Sequence, residues 1–351
     1  MKILGIESSC DDTSVALIDI TDEKLEILAE KIASQIEVHK KYGGVVPEIA
    51  GRKHAEKILP VVEEVIKGFE KPDVIAVTSG PGLITGLIVG VEVAKILSYL
   101  WNIPIVGVNH IEGHIFSPKI QDKKNTQLPI TNYQLPILSL VVSGGHTELI
   151  LSKKQGQYER IGGTRDDAAG ECFDKVGKLV GFDYPGGPKI SEFADSGNPK
   201  AIKFPRPMLN SKNFDMSFAG LKTAALYWLQ DNAKKNGTCY MLYVMCLKDF
   251  CASFEQAIVD VLVIKTLEAA KKYNPKTIIL AGGVSANTKL RKTLQKSIEQ
   301  LTPLPASRFP LPAYAMDNAA MIAIAGFYKA KRKEYTSWKK LKANPNWKIY
   351  Q

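Results

Sequence analysis

The stretch KILGIESSCDDTSVALIDI, residues 2–20, decides the fold class. It holds two short apolar runs, 2–7 and 13–20, on either side of a polar turn, a pattern typical of a β-hairpin. Residues 136–154, PILSLVVSGGHTELILSKK, repeat this pattern around the turn Gly144-Gly145. We therefore predict the same hairpin in each half of the chain.

A second pair of matched segments indicates a duplication. Residues 73–91, DVIAVTSGPGLITGLIVGV, and residues 276–294, KTIILAGGVSANTKLRKTL, each predict a strand, a glycine turn and a helix, and each follows its hairpin. The repeat is too long for a solenoid and predicts an α/β fold of two duplicated domains with a nucleotide cleft between them. Glycine turns with free backbone N–H groups bind phosphate, although any single such turn also serves simply to connect two elements.

The spacing of apolar residues predicts the other helices and strands of each half. In the first half it predicts a strand at 25–35, a helix at 47–69, a helix ending near 100, a strand at 105–109 and a helix from about His110. In the second half helices are predicted to dominate to about 273. Residues 119–136 are polar and contain two prolines, which indicates a linker or insertion at 119–135. The predicted domains are 1–118 with about 315–351, and about 136–314.

Composition excludes several classes of protein. The chain has 351 residues, of which 45% are apolar and 23% charged, so it has enough apolar material to offset chain entropy. The longest apolar stretch, Leu83–Leu97, is interrupted by Glu92 and Lys95 and is too short for a membrane span. The five cysteines include no CxxC pair, which argues against a disulfide framework or a zinc ribbon. Because we identify no signal or transit peptide, we expect a cytoplasmic protein.

Positive charge is concentrated at the C-terminus. The chain carries 46 Lys and Arg against 36 Asp and Glu, a net charge of +10, and eight of the basic residues lie between Lys329 and Gln351 beside one acid, Glu334. Aromatic residues, among them Trp338 and Trp347, lie between these lysines. The segment predicts either a solvated tail or a contact with nucleic acid through phosphates and unpaired bases.

The segment HIEGH, residues 110–114, is a candidate metal site. On a helix His110 and His114 share one face and chelate one ion, although this spacing also arises by chance. Asp317 is a candidate third ligand, or else only an acid at the start of a helix. Glu112 lies on another face of such a helix, so the segment lacks the HExxH arrangement and argues against a metallopeptidase.

Ten segments together resemble one family in order and in sequence. That family is the TsaD-type tRNA N6-adenosine threonylcarbamoyltransferases, formerly labelled O-sialoglycoprotein endopeptidases. The matching segments are GIESSCDDTSVAL (5–17), YGGVVPEIAGRKH (42–54), TSGPGLITGLIVG (78–90), HIEGH (110–114), LVVSGGHTELI (140–150), DDAAGECFDKVGKLVGFDYPGGP (166–188), FPRPM (204–208), MSFAGLKTA (216–224), AGGVSAN (281–287) and MDNAAM (316–321).

The resemblance implies an actin-like ATPase fold, as in sugar kinases and Hsp70, built from two duplicated RNase H-like domains. It implies transfer of a threonylcarbamoyl group from threonylcarbamoyl-AMP, with ATP as another occupant of the same cleft, to the adenine next to a tRNA anticodon. It also implies one divalent metal, Fe²⁺ before Zn²⁺. The implied partners are tRNA and either a same-fold TsaB-like subunit with a small TsaE-like ATPase, or a second copy of the chain, and no membrane.

The resemblance also assigns residues. It implies that His110, His114 and Asp317 bind the metal and that Asp11 takes part in transfer. It further implies a substrate-binding set of Val141, Val142, Ser143, Gly144, Gly145, Asp174, Gly187 and Asn287, with Ser191 near a further contact.

Two alternatives stay open at this point. Asp11 or Asp12 would accept the proton that the adenine amine loses, or both are turn residues that bond their own backbone. An ATPase or small-molecule kinase is an alternative function, because a fold alone does not fix an activity. The paired histidines favour a transition metal over the Mg²⁺ that a kinase needs.

Overall fold

The computed structural model describes residues 1–120, 133–235 and 240–350, with side chains left out at 232–235 and 240–245. Residues 121–132 of the predicted linker 119–135 therefore lie outside the described residues. At the start of that linker, Lys119 is buried and its amine lies 4.3 Å from the ring centroid of Tyr133. At least these two residues pack against the body of the protein.

Ten strands form within the described residues. They are β1 Lys2–Glu7, β2 Asp12–Ile20, β3 Leu25–Ser34, β4 Val74–Gly80, β5 Ile105–Asn109, β6 Ile137–Val142, β7 Thr147–Lys154, β8 Gln157–Gly163, β9 Thr277–Ala281 and β10 Ala306–Arg308.

Ten α-helices accompany these strands in the same described ranges. They are α1 Ile36–Lys40, α2 Pro47–Ile66, α3 Ile84–Trp101, α4 His110–Phe116, α5 Ala169–Leu179, α6 Gly186–Ala194, α7 Ala219–Lys235, α8 Tyr240–Tyr273, α9 Thr288–Ile298 and α10 Ala319–Lys331.

The two sheets have the same topology. The first has the strand order β3-β2-β1-β4-β5 and the second the order β8-β7-β6-β9-β10. In each sheet the first three strands of that half are antiparallel, whereas the last two run parallel to the first strand. The predicted α/β fold with a duplicated hairpin and a duplicated strand–turn–helix element is confirmed.

The chain divides into two compact units. Unit 1 comprises Met1–Tyr133 with Pro310–Gln351, and unit 2 comprises Gln134–Phe309. Unit 1 has apolar clusters on both faces of its sheet, one beneath α10 and one beneath α2 and α3. Unit 2 has a large apolar cluster, to which the long helix α8 contributes.

Three elements escaped the sequence analysis. The short helix α1 and the strand β10 lie where the pattern predicted no element, and the strand β8 lies where it predicted helices. Five of the seven residues of β8 are exposed or only partly buried, so it lacks the apolar run that marks β6 and β9. The expectation that helices dominate from the second hairpin to about residue 273 was therefore wrong at 157–163.

One helix of the described chain, α3, is long and apolar enough by length and composition to cross a membrane. The sequence analysis ended its apolar stretch at Leu97, but the helix continues to Trp101. Its inner face is buried in the core of unit 1 through Leu87, Val91 and Ala94. A core helix of this kind passes the same test, so the absence of a span stays a prediction.

The basic C-terminal segment is folded onto unit 1. We call residues 335–350 the C-terminal strap. Thr336 forms an isolated antiparallel bridge with Ile105 of the edge strand β5, and its N–H donates to the Ile105 carbonyl at 2.9 Å. Leu341 is buried in the cluster beneath α2 and α3. The strap therefore covers a sheet edge that would otherwise present unpaired backbone groups.

Candidate functional site

Unit 1 brings together the three predicted metal ligands. His110 and His114 lie one turn apart on α4, with ring centroids 4.6 Å apart. Nε2 of His110 lies 3.4 Å, and Nε2 of His114 3.2 Å, from Oδ1 of Asp317. One donor atom of each residue lies within 4.8 Å of the others, and both histidines are buried.

Two asparagine caps hold this cluster in place. Asn109 ends β5 and starts α4, because its side-chain oxygen accepts the backbone N–H of Ile111 at 2.9 Å. Asn318 caps α10 through the N–H of Met321 and places Asp317 just before that helix. Each cap fixes the entry of the chain into its helix and so aims the ligand next to it.

Helix α10 lies very close to β1. A Cβ atom on Gly5 would lie 2.2 Å from the carbonyl oxygen of Ala319, so only glycine permits this approach. The contact places the start of α10 beside the central strand of the sheet. Asp317 therefore lies near the carboxyl ends of the strands, where α4 also begins.

The donor set fits a divalent transition metal. Both ring nitrogens of His114 are buried without a hydrogen-bond partner among the described residues, although Asp317 lies near. Such orphaned buried groups are rare in folded proteins and call for an ion or another ligand. Two imidazoles and one carboxylate suit zinc or iron rather than magnesium.

Glu7 is a member of this cluster that the sequence analysis missed. It ends β1, is fully buried, and accepts hydrogen bonds from the Ser9 N–H at 2.6 Å and the Thr78 hydroxyl at 2.7 Å. Its Oε2 lies 3.0 Å from Nδ1 of His110. A carboxylate accepting from Nδ1–H leaves Nε2 of His110 as the metal donor. The available signal was an acid at the end of an apolar strand.

The charges of the cluster depend on one another. Burial disfavours charge on His110, but Asp317 and Glu7 together raise its pKa to about 9. Burial likewise opposes ionisation of Glu7, but the His110 cation lowers the pKa of Glu7 below its usual value. Burial lowers the pKa of His114, which is therefore neutral at pH 7. A metal ion held by Nε2 of His110 would take the place of the proton there.

The turn between β1 and β2 carries the acidic pair. Burial raises the pKa of Asp11, and it raises that of Asp12 to about 7. The charge of Asp317 adds to both shifts, so the pair lies within electrostatic reach of the metal cluster. Oδ1 of Asp12 is buried without a hydrogen-bond partner in the described part of the chain.

A histidine from the GRKH segment holds this turn. His54 on α2 is buried, with Nδ1 2.8 Å from the Thr13 hydroxyl and Nε2 3.1 Å from the Cys10 carbonyl. Burial lowers the pKa of His54, so its neutral ring donates to that carbonyl through Nε2. Burial raises the pKa of the Cys10 thiol well above its usual value, which argues against Cys10 as a nucleophile.

In unit 2 the turn after β6 is open. Val141 and Val142 are buried in β6, whereas Gly144 and Gly145 are exposed. A Cβ atom on either glycine would meet nothing within 4 Å. The Ser143 hydroxyl accepts the His146 N–H at 3.0 Å and closes the turn. This geometry provides an open backbone surface of the kind that binds phosphate.

The other predicted substrate residues lie along one path in unit 2. Oδ1 of Asp174 accepts the N–H groups of Gly186 and Gly187 at 2.9 and 3.1 Å, which fixes the start of α6. Ser191, one turn later, donates to the Gly187 carbonyl at 3.3 Å. Nδ2 of Asn287 then donates to the Ser191 hydroxyl at 2.9 Å. Asp174, Gly187 and Asn287 are thus joined through Ser191.

Strand pairing links this path to the open turn. β6 pairs with β9 as far as Val141 and Ala281, and the glycine turn after β9 leads to Asn287. Gly282 there approaches Val142 so closely that a Cβ atom would lie 2.4 Å from the Val142 carbonyl oxygen.

Glu255 is the second acid that the sequence analysis missed. It lies on α8, is 4% exposed, and accepts a hydrogen bond from Nδ2 of Asn287 at 2.7 Å. Burial raises the pKa of its carboxyl group. Asn287 also accepts the Leu290 N–H at its own oxygen and so caps α9. Glu255 and Ser191 therefore fix the orientation of the Asn287 amide.

Comparison with known proteins places the chain in one family. The family model described as "TsaD: tRNA N6-adenosine threonylcarbamoyltransferase" matches residues 26–324. Curated proteins of the same name are similar over nearly the whole chain. The protein from Thermosipho africanus is 45% identical over 99% of this chain and 100% of its own length. The protein from Bacillus cereus is 46% identical over 92% of this chain and 90% of its own length.

Solved structures agree with the fold. Full-length HypF in its phosphate- and nucleotide-bound form has a TM-score of 0.57 at 13% identity, over 96% of this chain and 47% of HypF. HypF from T. kodakarensis has a TM-score of 0.58 at 13% identity, over 97% of this chain and 49% of that protein. This likeness concerns the actin-like fold alone. The family is established by the sequence matches. The chain belongs to the tRNA N6-adenosine threonylcarbamoyltransferases, and it is a transferase of the acyltransferase type.

Proposed function

We propose that this chain transfers the threonylcarbamoyl group of threonylcarbamoyl-AMP to N6 of the adenine next to the anticodon, in tRNAs that read codons beginning with A. The new bond joins N6 to the carbamoyl carbon, the bond from that carbon to the phosphate oxygen breaks, and AMP leaves. The proposal rests on the cluster of buried His110 and His114 with the partly buried Asp317, in a chain of this family.

The unit 2 residues are proposed to bind the nucleotide part of the substrate. The open Gly144-Gly145 turn supports phosphate binding through backbone N–H groups, which stabilise negative charge without a second cation. Asp174 and Gly187 are proposed to hold the ribose and nucleoside, and Asn287 to close the adenosine pocket. Their linkage through Ser191 supports one continuous binding surface.

The unit 1 residues are proposed to hold one divalent ion, Fe²⁺ before Zn²⁺. The ion, when bound, supplies Lewis-acid stabilisation of charge on the phosphate and carbamoyl oxygens. His114 offers a buried neutral nitrogen for this purpose, and Glu7 holds His110 with Nε2 turned towards Asp317.

Asp11 is proposed to accept the proton that N6 loses or to orient a water molecule that does so. Burial raises the pKa of Asp11, which makes its carboxylate a stronger base than that of an ordinary aspartate. Asp12, with a pKa of about 7, is the competing candidate. We expect Asp11→Asn, folded and with metal bound, to lose transfer. If Asp11→Asn keeps near-normal transfer and only Asp12→Asn abolishes it, the role belongs to Asp12.

The partner proposals follow the family. We propose tRNA as a substrate, and either a same-fold TsaB-like subunit with a small TsaE-like ATPase, or a second copy of this chain. Large apolar side chains on the outer face of α3 and α2 support a protein partner, since exposed apolar patches mark interaction surfaces. They are Leu59, Ile84, Ile88, Ile96 and Leu100. A cytoplasmic location stays a prediction.

The test is transfer of labelled threonine to unmodified tRNA. The assay contains the purified chain, threonylcarbamoyl-AMP and Fe²⁺ or Zn²⁺, with and without the candidate subunits. We expect label on tRNA, and its loss in the double variant His110→Ala/His114→Ala. Asn287→Ala should instead weaken AMP binding while metal binding is kept. Hydrolysis of ATP or phosphorylation of a small molecule, without label on tRNA under any condition, would overturn the proposal.

A further inference from the structure

We propose that the C-terminal strap is a binding surface for RNA backbone phosphates. The proposal rests on the proposed tRNA substrate and names a surface that would hold it. Four lysine side chains along the strap are the proposed contacts: Lys339, Lys340, Lys342 and Lys348.

The strap holds these lysines in fixed positions. Besides the Thr336 bridge and the buried Leu341, the Asn344 N–H donates to the Ser79 carbonyl at 2.7 Å. The Gly82 N–H donates to the Pro345 carbonyl at 3.3 Å. An anchored segment loses less conformational freedom on binding than a solvated tail, so its charges contribute more to affinity.

The strap lysines differ from the basic residues just before them. Lys329 and Arg332 pair with Glu334 at 3.2 and 2.5 Å, and Lys331 pairs with Asp22. The four strap lysines are exposed, and among the described residues none of them forms an ion pair with a carboxylate. The strap therefore presents uncompensated positive charge, which attracts a polyanion.

The two tryptophans of the strap are engaged in contacts within the chain. The Trp338 ring lies 5.0 Å from that of Tyr99, and the Lys339 amine lies 5.3 Å from the Trp338 ring. The Lys329 amine lies 5.6 Å from the ring of Trp347. These two rings are therefore less available for base stacking than the lysines are for phosphate contact, and phosphate contacts position RNA without reading its sequence.

The end of the strap contacts the start of α4, the helix that carries His110 and His114. Nδ2 of Asn109 donates to the carbonyl oxygen of Trp347 at 3.1 Å, while Oδ1 of the same side chain caps α4. His110 is the next residue, and Lys348 follows Trp347 on the strap. A phosphate bound at Lys348 would thus lie beside the helix that carries both histidines, which favours an RNA substrate over an acidic peptide or a lipid surface.

The experiment measures binding of a fluorescent, unmodified tRNA to the purified chain over a range of salt concentrations. The test variant replaces all four strap lysines with Gln. The control variant makes the same charge change at four exposed lysines elsewhere: Lys57, Lys67, Lys71 and Lys271. All eight side chains are exposed, so both variants should fold, which thermal unfolding checks.

We expect the strap variant to bind tRNA at least about tenfold more weakly at low salt, with a salt-dependence slope smaller by about 3–4. The KM for tRNA should rise while kcat is kept, and the control variant should resemble the wild type. Equal loss in both variants would mean that only net charge matters and would overturn the proposal.

Three further outcomes separate this surface from a membrane surface and from the proposed function. A strap variant with wild-type tRNA affinity overturns the surface even if the wild type transfers threonine to tRNA. Loss of binding to phosphatidylserine vesicles, with tRNA binding intact, overturns it in favour of a membrane surface. Conversely, selective loss of tRNA binding supports the surface even if the wild type makes no modified base, in which case the proposed function alone fails.

Discussion

The turns after β1 and after β6 occupy the same place in two sheets of the same strand order, yet their chemistry is opposite. The first is acidic and closely packed, with Asp11 and Asp12 partly buried and Glu7 fully buried before them. The second is neutral and open, with nothing within 4 Å of a Cβ on Gly144 or Gly145. The same strand order therefore supports two turns of different chemistry, one acidic and packed and the other neutral and open.

The difference supports the proposed division between a cation site in unit 1 and an anion site in unit 2. In unit 1 the strand ends carry carboxylates and imidazoles, which suit a cation. In unit 2 the strand ends carry glycines and helix N-termini, which suit an anion. The strand order is common to both, so a few residues at the strand ends determine the charge of the ligand.

The largest expected effect comes from filling the packed turn. A Cβ on Gly82, which has φ +152°, would lie 2.6 Å from the carbonyl oxygen of Ser9. Gly82→Ala must therefore displace the acidic turn, and we expect the free energy of unfolding to fall by about 3 kcal/mol or more. Urea unfolding measures this loss, and a metal titration shows whether the cluster is disturbed.

Gly68→Ala is the matched control for that variant. Gly68 also has a left-handed φ, +84°, but a Cβ there would meet nothing within 4 Å. Gly68→Ala should lower the free energy of unfolding by only about 1 kcal/mol, because the unfavourable backbone conformation is its only source of destabilisation. Equal losses in the two variants would show that close packing of the acidic turn contributes nothing.

Glu7→Gln tests the cation side of the comparison. The substitution keeps the size of the side chain but removes the charge that fixes His110, so we expect the affinity for Zn²⁺ or Co²⁺ to fall by about 10- to 100-fold. Calorimetric titration of the metal-free protein measures it. Glu255→Gln changes the buried acid of unit 2 and should leave this affinity unchanged; a loss in both variants would point to general destabilisation instead.

Asp12→Asn gives a smaller effect that depends on pH. The pKa of Asp12 is about 7 when folded against 3.8 ordinarily, so between these values the folded state binds a proton that the unfolded state lacks. Stability therefore falls as pH rises from about 4 to about 7, and the full cost is present above that range. Asp12→Asn removes this loss of stability, because the amide does not ionise.

The measurement is urea unfolding of the metal-free protein at several pH values. We expect the variant to match the wild type near pH 4 and to be more stable by about 1–2 kcal/mol at pH 8. A constant difference across this range would mean that Asp12 stays ionised in the folded chain.

The duplication could be predicted from the sequence because its signals are local. Alternating apolar runs around Gly144-Gly145 and around residues 8–12 mark the hairpins, and β1 and β5 have the predicted bounds. Strand β8 was missed because its exposed residues give no apolar run. The repeat itself held the missing signal, since β3 follows the first hairpin in the same way.

The site was only partly predictable for a different reason. His110 and His114 are four residues apart, so one helix turn unites them, and Asp317 was chosen by its place before a helix. Glu7 contacts His110 across 103 positions of the chain, and Glu255 contacts Asn287 from another helix. Such contacts depend on sheet order and helix packing, which spacing in the sequence does not show.

Gly144→Ala tests the open turn and has the smallest expected effect on stability. Because the new Cβ would enter empty space, the free energy of unfolding should stay within about 0.5 kcal/mol of the wild type. The methyl group nevertheless narrows the approach to the backbone N–H groups, so AMP should bind several-fold more weakly in a calorimetric titration. Unchanged affinity would show that phosphate does not bind at this turn. Phosphate binding in unit 2 would then depend on the backbone N–H groups at the starts of α5, α6 and α9 alone.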